Sequence, residues 1–165
     1  MAKFVISDLH LGHENILKFC PERHGKTIGE HDEWLISQWN SVVSLDDTVY
    51  VLGDVTFNPE NLKMLKRMCG NKLLIRGNHD KLSTGLYLKY FQEVYGIFRH
   101  HQFWLTHAPI HPASLRGGYN IHGHMHSNTL DDPRYISACV EQCNGVPLNL
   151  TEMLKNDKYE MREEE

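Results

Sequence analysis

The turn Arg76-Gly77-Asn78-His79-Asp80 puts an amide, an imidazole and a carboxylate in a row. It follows Lys72-Leu73-Leu74-Ile75, which predicts a short buried strand, and Gly77 lets the chain turn sharply where that strand ends. Asn78 offers a hard oxygen suited to a metal ion, and His79 titrates near neutral pH and can move a proton. Residues of the same types follow other apolar runs: Asp8-Leu9-His10, Gly53-Asp54, His107 and His124-Met125-His126. In extended chain, residues two apart share a side, so Asp8 is expected to project with His10, and His124 with His126. A carboxylate beside an imidazole suits Mn, Fe, Zn or Ni. His13, close behind Asp8, is either an exposed helix-start residue or a substrate contact.

Short elements must position these groups. Strands are predicted over Lys3 to Ser7, Thr48 to Leu52 and Lys72 to Ile75. A short helix opens at Gly12-His13-Glu14-Asn15. A longer one carries Leu35, Trp39 and Val42 as its core stripe, with Asp32 as a candidate cap. Asn58 caps a further helix with Pro59 in its first position, Leu62 and Leu65 inside, and Gly70 as its stop. Strand, helix, strand, helix, strand is a right-handed α/β order, and ligands are expected at the carboxyl ends of its strands. The second half predicts a short helix, Leu86 to Phe91, then strand-like pieces at 93–95, 97–99, 102–105, 119–122, 136–140 and 147–150. A last helix starts at Thr151, and the tail Arg162-Glu163-Glu164-Glu165 is expected to fray. The loop residues Arg23 and Lys26 read as solvated, and Trp34 and Trp39 as packing residues.

At 165 residues the chain is expected to form a single domain, 1–165, with a soluble protein's 41% apolar and 23% charged residues. No apolar run reaches the roughly 20 residues of a membrane span, and Met1 to Asp8 lacks a signal-peptide core, so a cytoplasmic protein without membrane attachment is expected. The net charge of −4 and the lack of a basic run argue against polymeric nucleic acid as a partner. Cys20, Cys69, Cys139 and Cys143 lack zinc-finger spacing and read as reduced, packed thiols. Histidine is the outlier, with 12 copies.

Asp8, His10, Asp54, Asn78, His107, His124 and His126 are too many ligands for one tetrahedral ion. With one bridging carboxylate they suit two ions about 3.5–4 Å apart. At this point the pattern resembles a known family. Asp8-x-His10, Gly53-Asp54, Gly77-Asn78-His79-Asp80, His107 and Gly123-His124-x-His126 match, in order and type, the five motifs of the calcineurin-like metallophosphoesterases. The match spans Asp8 to His126, and the compact chain looks like the small phage and bacterial members.

The resemblance implies an α/β fold, a two-sheet α-β-β-α sandwich. It gives one ion to Asp8, His10, Asp54 and His126, and the other to Asp54, Asn78, His107 and His124, with Asp54 bridging. It makes His79 the catalytic residue that contacts phosphate and protonates the leaving oxygen. The implied cofactors are two divalent transition-metal ions, Mn foremost, with Fe, Ni or Zn as alternatives. The implied reaction is hydrolysis of a small phosphomonoester or phosphodiester, a cyclic or short nucleotide among them, by a metal-bridging hydroxide. The alternatives are a nuclease of the same family and a non-catalytic metal-binding interaction module, although the ligands and His79 are all present. The protein-phosphatase branch continues Gly-Asp-x-x-Asp-Arg, whereas Phe57 and Asn58 stand here in place of Asp-Arg, which leaves the residue that orients His79 open. For a second phosphate the cationic candidates are Arg76, Arg116 and Arg134. Arg116 leads because it lies in a Gly-rich loop, and Tyr119 is a candidate for stacking on a base.

Overall fold

The structure is a computed structural model that describes residues 1–159; the tail at 162–165 lies outside the described residues. Four parallel strands, β1 (Lys3–Ile6), β2 (Thr48–Val51), β3 (Asn71–Ile75) and β4 (Glu93–Tyr95), form most of the first sheet, with β9 (Leu148–Asn149) antiparallel along β1. The second sheet runs β5 (Phe98–His100), β6 (Phe103–Thr106), β7 (Tyr119–His122) and β8 (Tyr135–Ser137); β6 to β8 are parallel and β5 is antiparallel to β6. The molecule is a two-sheet α/β sandwich.

Alternation along the strands builds two cores. Phe4, Ile6, Val49, Val51 and Leu74 face one way, onto α2 (Ile28–Val42) and a 3₁₀ helix, Pro59–Arg67, through Leu35, Trp39, Leu62 and Leu65. Val5, Tyr50, Leu52 and Ile75 face the other way, onto Phe103, Leu105 and Ile121 of the second sheet. Trp104, Asn120 and Tyr135 stand in one row on the far side of that sheet. The loop after β6 covers them: Trp104 donates to the Leu115 carbonyl, Asn120 accepts from the Ile110 N–H, and Tyr135 donates to the Ile110 carbonyl.

Several local expectations change. Thr27, not Asp32, caps α2, in a capping box with Glu30. Asp32 lies within α2, buried, and accepts the Gly12 N–H at 3.0 Å. The helix after Asn58 is 3₁₀ rather than α, although Asn58 does accept the Glu60 N–H. The helix α3 covers Thr84–Tyr87 rather than 86–91. The strand expected over 136–140 ends at Ser137, because Ala138 and Cys139 turn to meet Ser7 of the first sheet. Of the remaining helices, α1 is Ile16–Phe19, α4 is Val140–Cys143 and α5 is Leu150–Leu154. No helix among the described residues is long and apolar enough to cross a membrane.

Candidate metal centre

Five parallel strands deliver the candidate ligands at their carboxyl ends: Asp8 and His10 beyond β1, Asp54 beyond β2, Asn78 beyond β3, His107 beyond β6, and His124 and His126 beyond β7. The sheets are seamed there. Ser7 N–H donates to the Ala138 carbonyl at 2.7 Å, and Val140 N–H donates to the Ser7 carbonyl at 3.2 Å. Gly123 sits in this seam, where an added Cβ would lie 1.8 Å from Ser7 Oγ and 2.4 Å from Asp8 Oδ2.

The extended-chain argument for the two pairs does not hold. Asp8, His10, His124 and His126 lie past the strand ends with φ of 61°, 49°, 70° and 51°, and Asp54 has φ of 53°. This left-handed backbone is unfavourable for side chains with a Cβ, and such outliers gather at functional sites. The pairs do converge, through a turned backbone rather than a pleat.

Two donor groups result. In the first, His10 Nε2 lies 3.8 Å from Asp8 Oδ1 and 3.9 Å from Asp54 Oδ2, and His126 Nε2 lies 3.8 Å from Asp8 Oδ1. In the second, His107 Nε2 lies 3.4 Å from Asp54 Oδ2 and 2.8 Å from Asn78 Oδ1, and His124 Nδ1 lies 3.0 Å from Asn78 Oδ1 and 3.2 Å from His107 Nε2. Donors that each sit about 2.0–2.2 Å from one ion stand about 3–4 Å apart. Asp54 Oδ2 belongs to both groups.

The residues fit divalent ions. Asp8 Oδ1 and His10 Nε2 are buried and have no hydrogen-bond partner among the described residues, an arrangement that is costly unless a cation satisfies it. The other carboxylate oxygens are held by amides: Asp8 Oδ2 accepts from His124 N–H at 2.8 Å, and Asp54 Oδ1 from His79 N–H at 2.9 Å. Burial, helped by the charge of Arg23, holds His10 down at about 2, so its ring is neutral and offers a lone pair. Burial pushes the Asp54 carboxyl above its ordinary range, against the pull of His107. Asp8, His10 and Asp54 are buried and His126 is half-buried, whereas Asn78 and His124 are exposed, so the second group opens to solvent.

Ligand orientation comes from groups behind the ligands. His107 Nδ1 donates to the Leu52 carbonyl at 2.7 Å, which leaves Nε2 free to ligate. His126 Nδ1 lies 2.9 Å from Glu141 Oε1, with the same consequence, and this bond raises His126. Burial alone would raise Glu141, but the His126 bond and Arg23 outweigh it and hold it at about 2. Arg23 is not solvated. Its side chain is fully buried, bound to Glu141 Oε1 at 2.7 Å and donating to the carbonyls of Asp8 at 2.6 Å and Leu9 at 3.2 Å. It fastens the left-handed turn that carries Asp8. Cys20, His126 and Glu141 also stand within ligand reach of one another, but the guanidinium on Glu141 opposes a cation there. Cys139 donates to Asp8 Oδ2 at 3.4 Å, and all four cysteines are free.

Asp80 does not orient His79. It is buried and accepts from the N–H groups of Asp54, Val55 and Gly77 and from Tyr87 Oη, tying the turns after β2 and β3 together. His79 packs edge-on against Phe57, with ring centres 4.9 Å apart. Phe57, the residue that stands in place of the protein-phosphatase motif's second Asp, is thus a ring packed on His79. A cleft of about 930 Å³ exposes the centre, lined by His10, His79, His124 and His126 with His13 and Phe57. Of the sequence candidates for substrate contact, His13 lines it and Arg116 does not. Arg116 is exposed with φ of 49°. Arg76 is spent on the Asp80 and Leu82 carbonyls and Arg134 on Asp132. Tyr119 is buried and donates to the Lys158 carbonyl, so it starts β7 rather than stacking on a base.

Sequence reasoning missed Arg23, Glu141 and the true role of Asp80. No local signal marks Arg23, because its partner Glu141 is 118 residues away.

No family model matches the sequence. The chain belongs to the family of the uncharacterized protein MJ1445 of Methanocaldococcus jannaschii, to which it is 34% identical over 166 residues, spanning 92% of this chain and 89% of that one. It is also 31% identical to the Gene 66 protein of Mycobacterium phage L5, over 73% of this chain and 75% of that one. Among solved structures it is similar to the protein of unknown function AQ665 from Aquifex aeolicus, with a TM-score of 0.73, 29% identity, and 93% and 98% of the two chains covered.

Proposed function

We propose that the chain is a dinuclear, metal-dependent phosphoesterase of the calcineurin-like type, acting on a small phosphomonoester or phosphodiester. The observation that carries this reading is the pair of donor groups sharing Asp54 Oδ2, with Asp8 Oδ1 and His10 Nε2 buried and unpartnered beside it. Asp8, His10, Asp54 and His126 would hold one ion, and Asp54, Asn78, His107 and His124 the other. Two divalent ions supply charge neutralisation at phosphate and activation of water. The neutral ring of His10 keeps a lone pair toward the centre, and His107, with Nδ1 bonded to the Leu52 carbonyl, turns Nε2 the same way. Arg23 and Glu141 hold the Asp8 turn and the His126 ring in place from behind. His79 faces the same cleft and donates a proton to the oxygen leaving phosphorus, a role worth about 10²–10⁴-fold in rate.

The test is hydrolysis by metal-stripped protein re-supplied with Mn²⁺, using a nitrophenyl phosphomonoester, its bis-ester, and 2′,3′- and 3′,5′-cyclic nucleotides. The expected result is Mn²⁺-dependent turnover that His79→Ala slows on esters with poor leaving groups far more than on nitrophenyl esters. Two bound ions per chain with no turnover on any of these substrates would overturn the reading in favour of a metal-binding interaction module.

A further inference from the structure

Beyond the metal ligands, the cleft has an unusual wall. Phe19 and Phe57 are 71% and 46% exposed and both line it, with His13 between them. The His13 ring centre is 4.6 Å from Phe57, edge-on, and 6.4 Å from Phe19. Phe57 also reaches the centre itself, 5.7 Å from the ring of His10 and 4.9 Å from that of His79. An aromatic strip therefore runs from solvent to the candidate metal centre. Ile16, Pro109 and Met125 extend its apolar character, and among the described residues no lysine or arginine lines the cleft.

We infer that this strip is a platform for a planar, uncharged ring borne by a substrate with a single phosphate group, a nucleobase being the biological form. The inference rests on the phosphoesterase reading. Two features select this occupant. Exposed aromatic faces stack on rings of any sequence or type. With no lysine or arginine among the described residues of the lining, the cleft offers imidazoles but no fixed cation of its own to a second phosphate. The volume of about 930 Å³ accommodates a nucleoside phosphate.

The test is calorimetric binding to Mn²⁺-loaded protein in a His79→Ala background, which keeps the ligand set while suppressing turnover. The probes are inorganic phosphate, ribose 5-phosphate, AMP and adenosine 3′,5′-bisphosphate. AMP is expected to bind about tenfold or more tighter than ribose 5-phosphate, the effect of one base stacked on an aromatic ring, and the bisphosphate no tighter than AMP. Phe57→Ala, at an exposed position, should bring AMP close to ribose 5-phosphate, and Phe57→Trp should restore the difference. A ratio near one, or a ratio that survives Phe57→Ala and Phe19→Ala, overturns the platform while phosphate still binds in a Mn²⁺-dependent way. Phosphate binding that is absent or indifferent to Mn²⁺ overturns the phosphoesterase reading itself, and the platform with it.

Discussion

The two sheets supply different chemistry to one centre. The five-stranded sheet brings every oxygen donor, Asp8, Asp54 and Asn78, together with His10; the four-stranded sheet brings only imidazoles, His107, His124 and His126. The difference extends to how each side is held. The carboxylates are buried and fixed by backbone N–H groups, one of them, from His124, reaching Asp8 across the seam. Of the imidazoles from the second sheet, His107 is oriented by a carbonyl behind it and His126 by a carboxylate. A carboxylate needs donors where it sits and an imidazole needs an acceptor behind it; for Asp8 the donor, His124, comes from the second sheet, and for His107 the acceptor, Leu52, comes from the first.

The largest break in this division is expected at the atom both halves share. Asp54→Asn should cut Mn²⁺-dependent hydrolysis by about 10³-fold and lower the metal content measured by elemental analysis below two ions per chain. Next is the seam. Gly123→Ala drives a Cβ into Ser7 and Asp8; urea unfolding should show a loss of about 2–4 kcal/mol, accompanied by weaker metal binding.

Much of this arrangement was legible in the sequence, because Asp8, Asp54, Asn78, His107, His124 and His126 each follow a short apolar run and a parallel strand aims its carboxyl end at the site. The capping box Thr27-x-x-Glu30 was also legible and was passed over for Asp32. The left-handed backbone at Asp8 and His124 was not, since histidine and aspartate do not announce a positive φ as glycine does. Arg23 looked like any loop cation. Only tertiary folding reveals the buried glutamate that claims it.

That pairing gives the next expectation. Arg23→Ala leaves the buried Glu141 carboxylate without its guanidinium, with His126 as its remaining ion-pair partner, and should cost about 3–5 kcal/mol in denaturant unfolding. Arg23→Lys should recover little, because one ammonium cannot serve Glu141 and two carbonyls together. A finer test concerns backbone strain in the second sheet's turn. With metal removed, His124→Gly should be about 1 kcal/mol more stable than His124→Ala, because φ of 70° suits glycine. The last effect is one of pH and lies between the sheets, at His100. Burial holds it down at about 4, against an ordinary 6.5. The unfolded chain therefore binds the extra proton first, and the stability that neutral His100 provides is full above pH 6.5 and fades as pH falls toward 4. His100→Gln should flatten that part of the stability–pH curve.

The seam between Asp8 and Cys139 also has a consequence in time. The carboxylate and the thiol that meets it are separated by 131 residues of sequence. At about 5–20 residues per second of synthesis, Asp8 waits on the order of ten seconds for that neighbour. His124, whose amide aims the same carboxylate, also emerges late. A nascent chain thus carries Asp8 and His10 well before the groups of the second sheet can join them, and on the dinuclear reading metal capture would belong to the folded protein rather than to the growing one.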